Sequence, residues 1–255
     1  PRRGCQLHGS LFKTACFVTE DRMPSADLSG GTDCVLFDLD GTLADTAPDL
    51  VDALNAVLIG AGRQPVTLEH GRWWVAGGSV RLIQKGFNLS LKQASASPLR
   101  QQLLDYYEDH LCKKTQLFGG IEKLLNEFDR QMLPWGIVTN KPTRFTEPLV
   151  KALGLHDRAV SIVSGDTVSR PKPDPLPLLH ACNESGVAAN RTVYVGDDLR
   201  DIVAGKASGM ATAAVTWGYG RPSQIPSWEA DWVICQPWDI LERLRLNQGA
   251  PTPNH

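Results

Sequence analysis

Val35-Leu36-Phe37-Asp38-Leu39-Asp40-Gly41-Thr42-Leu43 is the stretch from which the rest of the chain is read. Its short apolar run predicts a buried strand, and the run stops at two aspartates one residue apart. Gly41 and Thr42 then predict a sharp turn, because Asp-Gly favours turns and glycine tolerates positive φ. In an open α/β sheet, ligands collect at the carboxyl ends of the strands. Side chains alternate along extended backbone, so Asp38 and Asp40 are expected to face one crevice. Two carboxylates that close repel unless a proton or cation compensates, and a hard divalent ion such as Mg²⁺ suits oxygen ligands. Taken alone, the same stretch reads equally as a strand ending in an ordinary acidic turn.

Downstream, the pattern first turns helical. Thr46 with Asp49 three residues on makes a capping-box pattern, and Pro48 suits a first helical turn. Leu50, Val51, Leu54, Val57, Leu58 and Ala61 recur at helical spacing up to Gly62. Val80, Leu82, Ile83 and Phe87 give a second such pattern, and Leu99, Leu103, Leu104, Tyr107 and Leu111 a third. The block 48–117 is therefore expected to be all helical, with no strand. From Phe118 onward, helix and strand signals alternate. Helices are expected near 121–128, 145–153, 176–182, 202–207 and 240–246, and strands near 135–138, 160–163, 192–195, 212–215 and 233–235. Such alternation predicts a parallel sheet wound on both sides.

The expected organisation is an α/β core at 32–47 and 118–246, a helical unit at 48–117, and two ends outside the fold, 1–31 and 247–255. The first end opens on Arg2 and Arg3, but Lys13, Thr14, Thr19, Glu20 and Asp21 break its apolar residues. It lacks the unbroken apolar core of about 7–15 residues that a secretory signal needs, and Met23 reads as a start residue.

Composition narrows the function classes. The 255 residues are 42% apolar and 21% charged, ordinary for a globular protein, and a net charge of −2 argues against non-specific nucleic-acid binding. No apolar run approaches the roughly 20 residues that span a bilayer. Cys5, Cys16, Cys34, Cys112, Cys182 and Cys235 are scattered without a C-x-x-C pair, which points to free thiols in a reducing cytoplasm. A small-molecule partner is expected, with no nucleic acid or membrane, for a monomer or homodimer.

Three further motifs follow the first in order: Trp135-Gly136-Ile137-Val138-Thr139-Asn140-Lys141-Pro142, Ser169-Arg170-Pro171-Lys172-Pro173-Asp174-Pro175 and Val195-Gly196-Asp197-Asp198-Leu199-Arg200-Asp201. Together the four resemble the haloacid dehalogenase superfamily of aspartate-nucleophile phosphohydrolases, over roughly Cys34 to Leu244. Within it the chain is similar to the phosphoglycolate phosphatase branch. The second and fourth motifs look closest to the N-acetylmuramic acid 6-phosphate phosphatases. The resemblance implies a Rossmann-like core, a helical cap inserted after the first strand, Mg²⁺, and a small phosphate ester as substrate.

Phosphate-monoester hydrolysis is slow enough uncatalysed that a site must supply nucleophile, charge neutralisation and proton transfer together. Asp38 is the expected nucleophile, forming an aspartyl-phosphate, and Asp40 the expected general acid and base; the family resemblance implies the same roles. Thr42 reads as an orienting partner for Asp40, or as a turn residue only. Thr139 and Asn140 close a strand where hydroxyl and N–H groups can hold phosphoryl oxygens, although Thr-Asn there also reads as a helix N-cap. Lys172 and Arg170 both offer a cation, and the family pattern selects the lysine between prolines. Asp197 is the expected metal ligand beside an Asp38 oxygen and the Asp40 carbonyl, with Asp198 and Asp201 as outer partners, Asp198 reading equally as a helix cap. In the helical unit, Gly77, Gly78 and Ser79 are expected to form a tight loop near the ligand. Arg72 is expected to bind a substrate carboxylate bidentately, and Trp73 and Trp74 to stack on a sugar or pack.

Competing readings separate on the same residues. A phosphoacceptor receiver domain is about half this length and inserts no helices, and a haloalkanoate dehalogenase lacks the aspartate at 40. A non-enzymatic binding module has no need of both Asp38 and Asp40. A phosphomutase keeps the same core residues.

Overall fold

The computed structural model describes residues 31–246. The expectations for 1–30, including Met23, and for the tail 247–255 lie outside the described residues. Strands and helices are numbered here in chain order. β1 (Cys34–Phe37) is followed by the two-residue β2 (Ala44–Asp45), then by α1 (Ala47–Gly60), α2 (Leu68–Val75), α3 (Gly78–Phe87), α4 (Leu91–Ala96) and α5 (Pro98–Asp109). After β3 (Gln116–Leu117) come α6 (Ile121–Arg130), β4 (Trp135–Val138), α7 (Thr143–Ala152), β5 (Ile162–Val163), α8 (Leu176–Ser185) and β6 (Thr192–Gly196). α9 (Leu199–Ala207), β7 (Ala211–Val215), β8 (Trp232–Ile234) and α10 (Pro237–Leu246) complete the described chain.

Six strands form one parallel sheet in the order β5-β4-β1-β6-β7-β8, a doubly wound α/β fold. The apolar run of β1 is buried on both sides, as a central parallel strand must be. Val35 and Phe37 enter one apolar cluster with α6, α7 and α10, while Cys34 and Leu36 enter another with α8 and α9. The chain runs from β1 outward through β4 to β5, then crosses back to place β6 on the other side of β1. That reversal opens a crevice at the carboxyl end of β1, where doubly wound sheets bind their ligands.

The five helices between β2 and β3 have a core of their own. Leu50, Leu54 and Leu58 of α1, Leu82 and Ile83 of α3, and Leu103 and Tyr107 of α5 pack together, joined from the α/β body by Phe145 and Tyr219. β2 and β3 pair antiparallel and bring the two ends of this insertion side by side.

Local readings of this segment need correction. Thr46 caps nothing, because its side chain makes no capping hydrogen bond and its backbone is helical. Asp49 instead accepts from the Lys114 and Thr115 amides and the Thr115 hydroxyl, fastening the start of α1 to the chain entering β3. The block expected to lack strands contributes Gln116–Leu117 to the β2–β3 pair. The tight loop expected at Gly77, Gly78 and Ser79 falls at Ala76–Gly78, between the end of α2 at Val75 and the start of α3, with Gly78 at φ +65° and Ser79 already helical.

Cys34, Cys112 and Cys182 are free thiols, but Cys235 is disulfide-bonded, so the expectation of free cysteines holds for only part of the set.

Candidate active site

β1 ends at Phe37, and the chain turns at once: the Thr42, Leu43 and Ala44 amides all donate to the Leu39 carbonyl. Asp38 and Asp40 therefore face the crevice by way of a turn, not by strand alternation. Gly41 makes the turn possible, with φ at +91° and the Asp197 carboxylate where a Cβ would sit. Asp38 Oδ1 accepts from the Leu39 amide at 2.8 Å and pairs with Lys172 Nζ at 3.0 Å. Lys172, 3% exposed, also donates to Asp201 Oδ1 (2.8 Å), the Tyr194 hydroxyl (2.7 Å) and the Val138 carbonyl (2.9 Å). Arg170, the competing cation, pairs instead with Asp174 and is largely exposed.

Asp40 Oδ1 accepts from the Thr46 hydroxyl at 2.6 Å and from Lys141 Nζ at 3.0 Å. Thr42, expected beside Asp40, donates to Asp197 Oδ1 instead (3.1 Å), and the Tyr219 amide donates to Asp197 Oδ2 (2.7 Å). Thr46 took the orienting place because α1 begins there and its hydroxyl was not needed for a cap. Sequence reasoning gave no place in the site to Lys141, Thr46, Tyr219 or Arg200, and read Thr46 only as part of a capping box. Only Lys141 carried a signal, as the cation following Thr139-Asn140.

Oxygens of Asp38, Asp197 and Asp201 lie within 4.8 Å of one another. Asp201 belongs to this cluster, and its two oxygens also accept from Lys172 Nζ and from the Asp198 amide. Asp198 is the N-cap of α9, accepting from the Arg200 amide, while Asp201 accepts the Asp198 amide to complete a capping box. Asn140 spends its amide on the Lys172 backbone in both directions, at 2.9 Å each. Thr139 accepts from the Lys141 amide and lines the cavity.

The cavity above these groups measures about 360 Å³. Asp38, Asp40, Thr139, Asn140, Asp197 and Asp198 line it from the sheet side, and Gly77, Gly78 and Ser79 from the insertion. Arg72 does not line it. Both arms of its guanidinium hold Asp45, at 2.8 and 2.7 Å, and it lies over the Tyr219 ring, so the expected substrate cation is a joint between α2 and β2. Trp73 and Trp74 also stand away from the cavity, Trp74 packed on the insertion's core and Trp73 partly exposed.

Residues 35–215 match the family described as haloacid dehalogenase-like hydrolase. The chain belongs to this family. It is a phosphoric monoester hydrolase of that kind, and its curated relatives are phosphatases. An N-acetylmuramic acid 6-phosphate phosphatase of Pseudomonas aeruginosa is 42% identical over 211 residues, covering 82% of this chain and 93% of that protein. A phosphoglycolate phosphatase of Xanthomonas campestris is also 42% identical, over 209 residues that cover 82% of this chain and 94% of its own. The crystal structure of a predicted phosphoglycolate phosphatase from Haemophilus somnus superposes with a TM-score of 0.74 at 27% identity, covering 83% of this chain and 97% of that one.

In this hydrolase the acidic cluster is short of positive charge. Burial pushes Asp38 up to about 6, with Lys172 pulling the other way and Asp201 and Asp40 adding to the rise. Burial, Asp38 and Asp201 hold Asp197 well above the usual carboxylate range. Burial works against the Lys172 charge, yet Asp201 and Asp38 outweigh it and raise its pKa. One ammonium among three carboxylates leaves a negative excess in a low-dielectric site, and the donors are all hard oxygens. Those residues fit a divalent cation.

Proposed function

We propose that this hydrolase is a Mg²⁺-dependent phosphatase of N-acetylmuramic acid 6-phosphate, acting through an aspartyl-phosphate in peptidoglycan recycling in the cytoplasm. The observation that carries the substrate reading is the cavity. At about 360 Å³ it lies within the usual range of small-metabolite pockets, and Leu50, Val75, Val80 and Leu104 give it an apolar wall. A pyranose ring uses such a wall, whereas a two-carbon acid has nothing to place against it. Relatives of equal identity bear the sugar-phosphate and phosphoglycolate names, so identity alone does not choose.

The Asp38 carboxylate attacks phosphorus while Asp40, held by Thr46 and Lys141, gives its proton to the leaving oxygen. Asp40 then takes a proton from the water that hydrolyses the aspartyl-phosphate. Lys172 balances charge on Asp38 and on the transferring oxygens, and Thr139 donates to one of them. Asp38, Asp197 and the Asp40 carbonyl would hold Mg²⁺, with Asp201 as an outer partner, and the ion would supply charge neutralisation for nucleophile and phosphoryl oxygens. Helices α1–α5 act as the cap that closes over the leaving group and keeps bulk water from it.

Phosphate release tests the reading. With Mg²⁺, kcat/KM is expected to be higher for N-acetylmuramic acid 6-phosphate than for 2-phosphoglycolate, and chelator is expected to abolish both. A preference for 2-phosphoglycolate overturns the substrate, and full turnover in chelator overturns the metal.

A further inference from the structure

Helix α5 carries three side chains to the cavity at positions i, i+4 and i+7: Arg100, Leu104 and Tyr107. That spacing places them on one face of the helix. The two outer groups share a property that the sheet side of the site lacks. Arg100 makes one hydrogen bond, from Nε to the Ser79 hydroxyl of α3 at 3.0 Å, and has no carboxylate partner among the described residues. The other cavity-lining arginines are engaged, Arg200 by Asp198 at 2.7 Å and the Ala76 carbonyl, and Arg144 by Glu108 at 3.6 Å. Tyr107 is 1% exposed, and its hydroxyl has the Lys141 ammonium beside it but no acceptor for its own proton. A buried hydroxyl proton without an acceptor is unfavourable, so on a cavity wall it marks where a ligand acceptor belongs.

The position of each end fixes what it meets. Lys141 Nζ lies 4.7 Å from the Tyr107 ring centroid and 3.0 Å from Asp40 Oδ1, so Tyr107 stands at the scissile end. Arg100 lies two turns earlier on the same helix, about 10 Å along its axis. Leu104 supplies the apolar rung between them.

We propose that Arg100, fixed by Ser79, and Tyr107 form a leaving-group subsite that selects phosphate esters carrying a carboxylate across a sugar ring from the phosphate. The subsite deepens the function proposed above and rests on it. Arg100 forks onto the distant carboxylate, the ring lies along Leu104, and the Tyr107 hydroxyl bonds a polar atom near the ester oxygen. An acid whose carboxylate sits one carbon from the ester oxygen, with phosphorus at Asp38, ends near Tyr107 and falls short of Arg100.

Kinetics with N-acetylmuramic acid 6-phosphate and N-acetylglucosamine 6-phosphate, which lacks the lactyl acid, provide the test. The wild type is expected to favour the acid. In Arg100→Gln the ratio of the two kcat/KM values is expected to fall by about 10- to 100-fold, mostly through KM, the scale of one charged hydrogen-bonded contact. Arg100→Lys, which keeps charge without the fork, falls between. Tyr107→Phe is expected to lower kcat/KM for both sugars by a similar factor, leaving their ratio in place. A folded Arg100→Gln variant that retains the wild-type ratio overturns the subsite while the sugar-acid reading stands. A wild type that does not distinguish the two sugars overturns both. Loss of the ratio together with a lowered melting temperature is separated from misfolding by Ser79→Ala, which frees the Arg100 side chain and is expected to shift the ratio in the same direction by less.

Discussion

At the carboxyl edge of the sheet, Lys172 reaches Asp38, Asp201, the Tyr194 hydroxyl and the Val138 carbonyl; across the cavity, on α5, the Tyr107 hydroxyl has the Lys141 ammonium beside it and no acceptor for its proton. The sheet side meets the same transferring group in every turnover. Its donors and charges are fixed in advance, which is how a site stabilises charge without reorganising during the reaction. The helical side meets the part of the substrate that differs from one ester to another. On the proposed reading, the donors it keeps free, the terminal guanidinium nitrogens of Arg100 and the Tyr107 hydroxyl proton, become binding energy only with a leaving group of matching length. On that reading, rate belongs to one wall and choice to the other.

The sharpest way to break that division is Asp38→Asn. The change is nearly isosteric, so a cooperative thermal transition should persist while phosphate release falls to background with every ester. Turnover near wild type with any of them removes Asp38 as nucleophile and moves the chemistry elsewhere in the cavity.

Asp40 sits where the two walls meet, touched by Thr46 of the insertion's first turn and by Lys141 of the sheet side. Asp40→Asn should cost about 10²–10⁴-fold in kcat with a sugar phosphate, the usual scale of proton transfer in catalysis. With an activated aryl phosphate, whose leaving group departs without a proton, the loss should shrink markedly. Equal losses on both esters assign Asp40 a structural part at the junction and leave the leaving-group proton without a donor.

The same division explains what was legible in the chain. β4 spans the residues its pattern marks, and β1, β6, β7 and β8 begin within a residue or two of expectation, because buried parallel strands are written as local apolar runs. That Asp197 and Lys172 would stand beside Asp38 was legible, Asp197 because it follows the apolar run of β6 and Lys172 through the family pattern of a lysine between prolines. The partners of each group were not. That Thr46 serves Asp40 and Thr42 serves Asp197 depends on where α1 packs, a contact between segments that no local pattern encodes. Capping chemistry misled for the same reason: Asp49 fits a box with Thr46 on paper, but Thr115 arrives from 66 residues away to take it. The cavity wall was least legible. Arg100, Leu104 and Tyr107 sit in an ordinary amphipathic helix, and nothing in the period distinguishes a residue facing the core from one facing a ligand.

Arg72 and Arg100 show how far that ambiguity reaches, and they give the smallest and most discriminating prediction. Arg72 stands in a glycine-rich stretch and looks like a substrate cation, yet Asp45 takes both arms of its guanidinium and the Tyr219 ring lies against it. The pair is about one quarter exposed on each side, so solvent screens it, and its bidentate geometry keeps it from being negligible. Arg72→Ala should lower stability by about 1 kcal/mol, or about 2–4 °C in melting temperature for a chain of this size. Its effect on kcat/KM should be the same for a sugar acid, a neutral sugar and an aryl phosphate, because a loosened α2–β2 joint disturbs closure without touching any leaving group. Arg100→Gln should show the opposite signature, a change in selectivity with little change in melting. If Arg72→Ala instead erases the preference for the acid, the cap must close further than the structure shows, bringing α2 to the substrate and releasing Asp45. The wall that chooses would then be built by motion and not by the fixed face of α5.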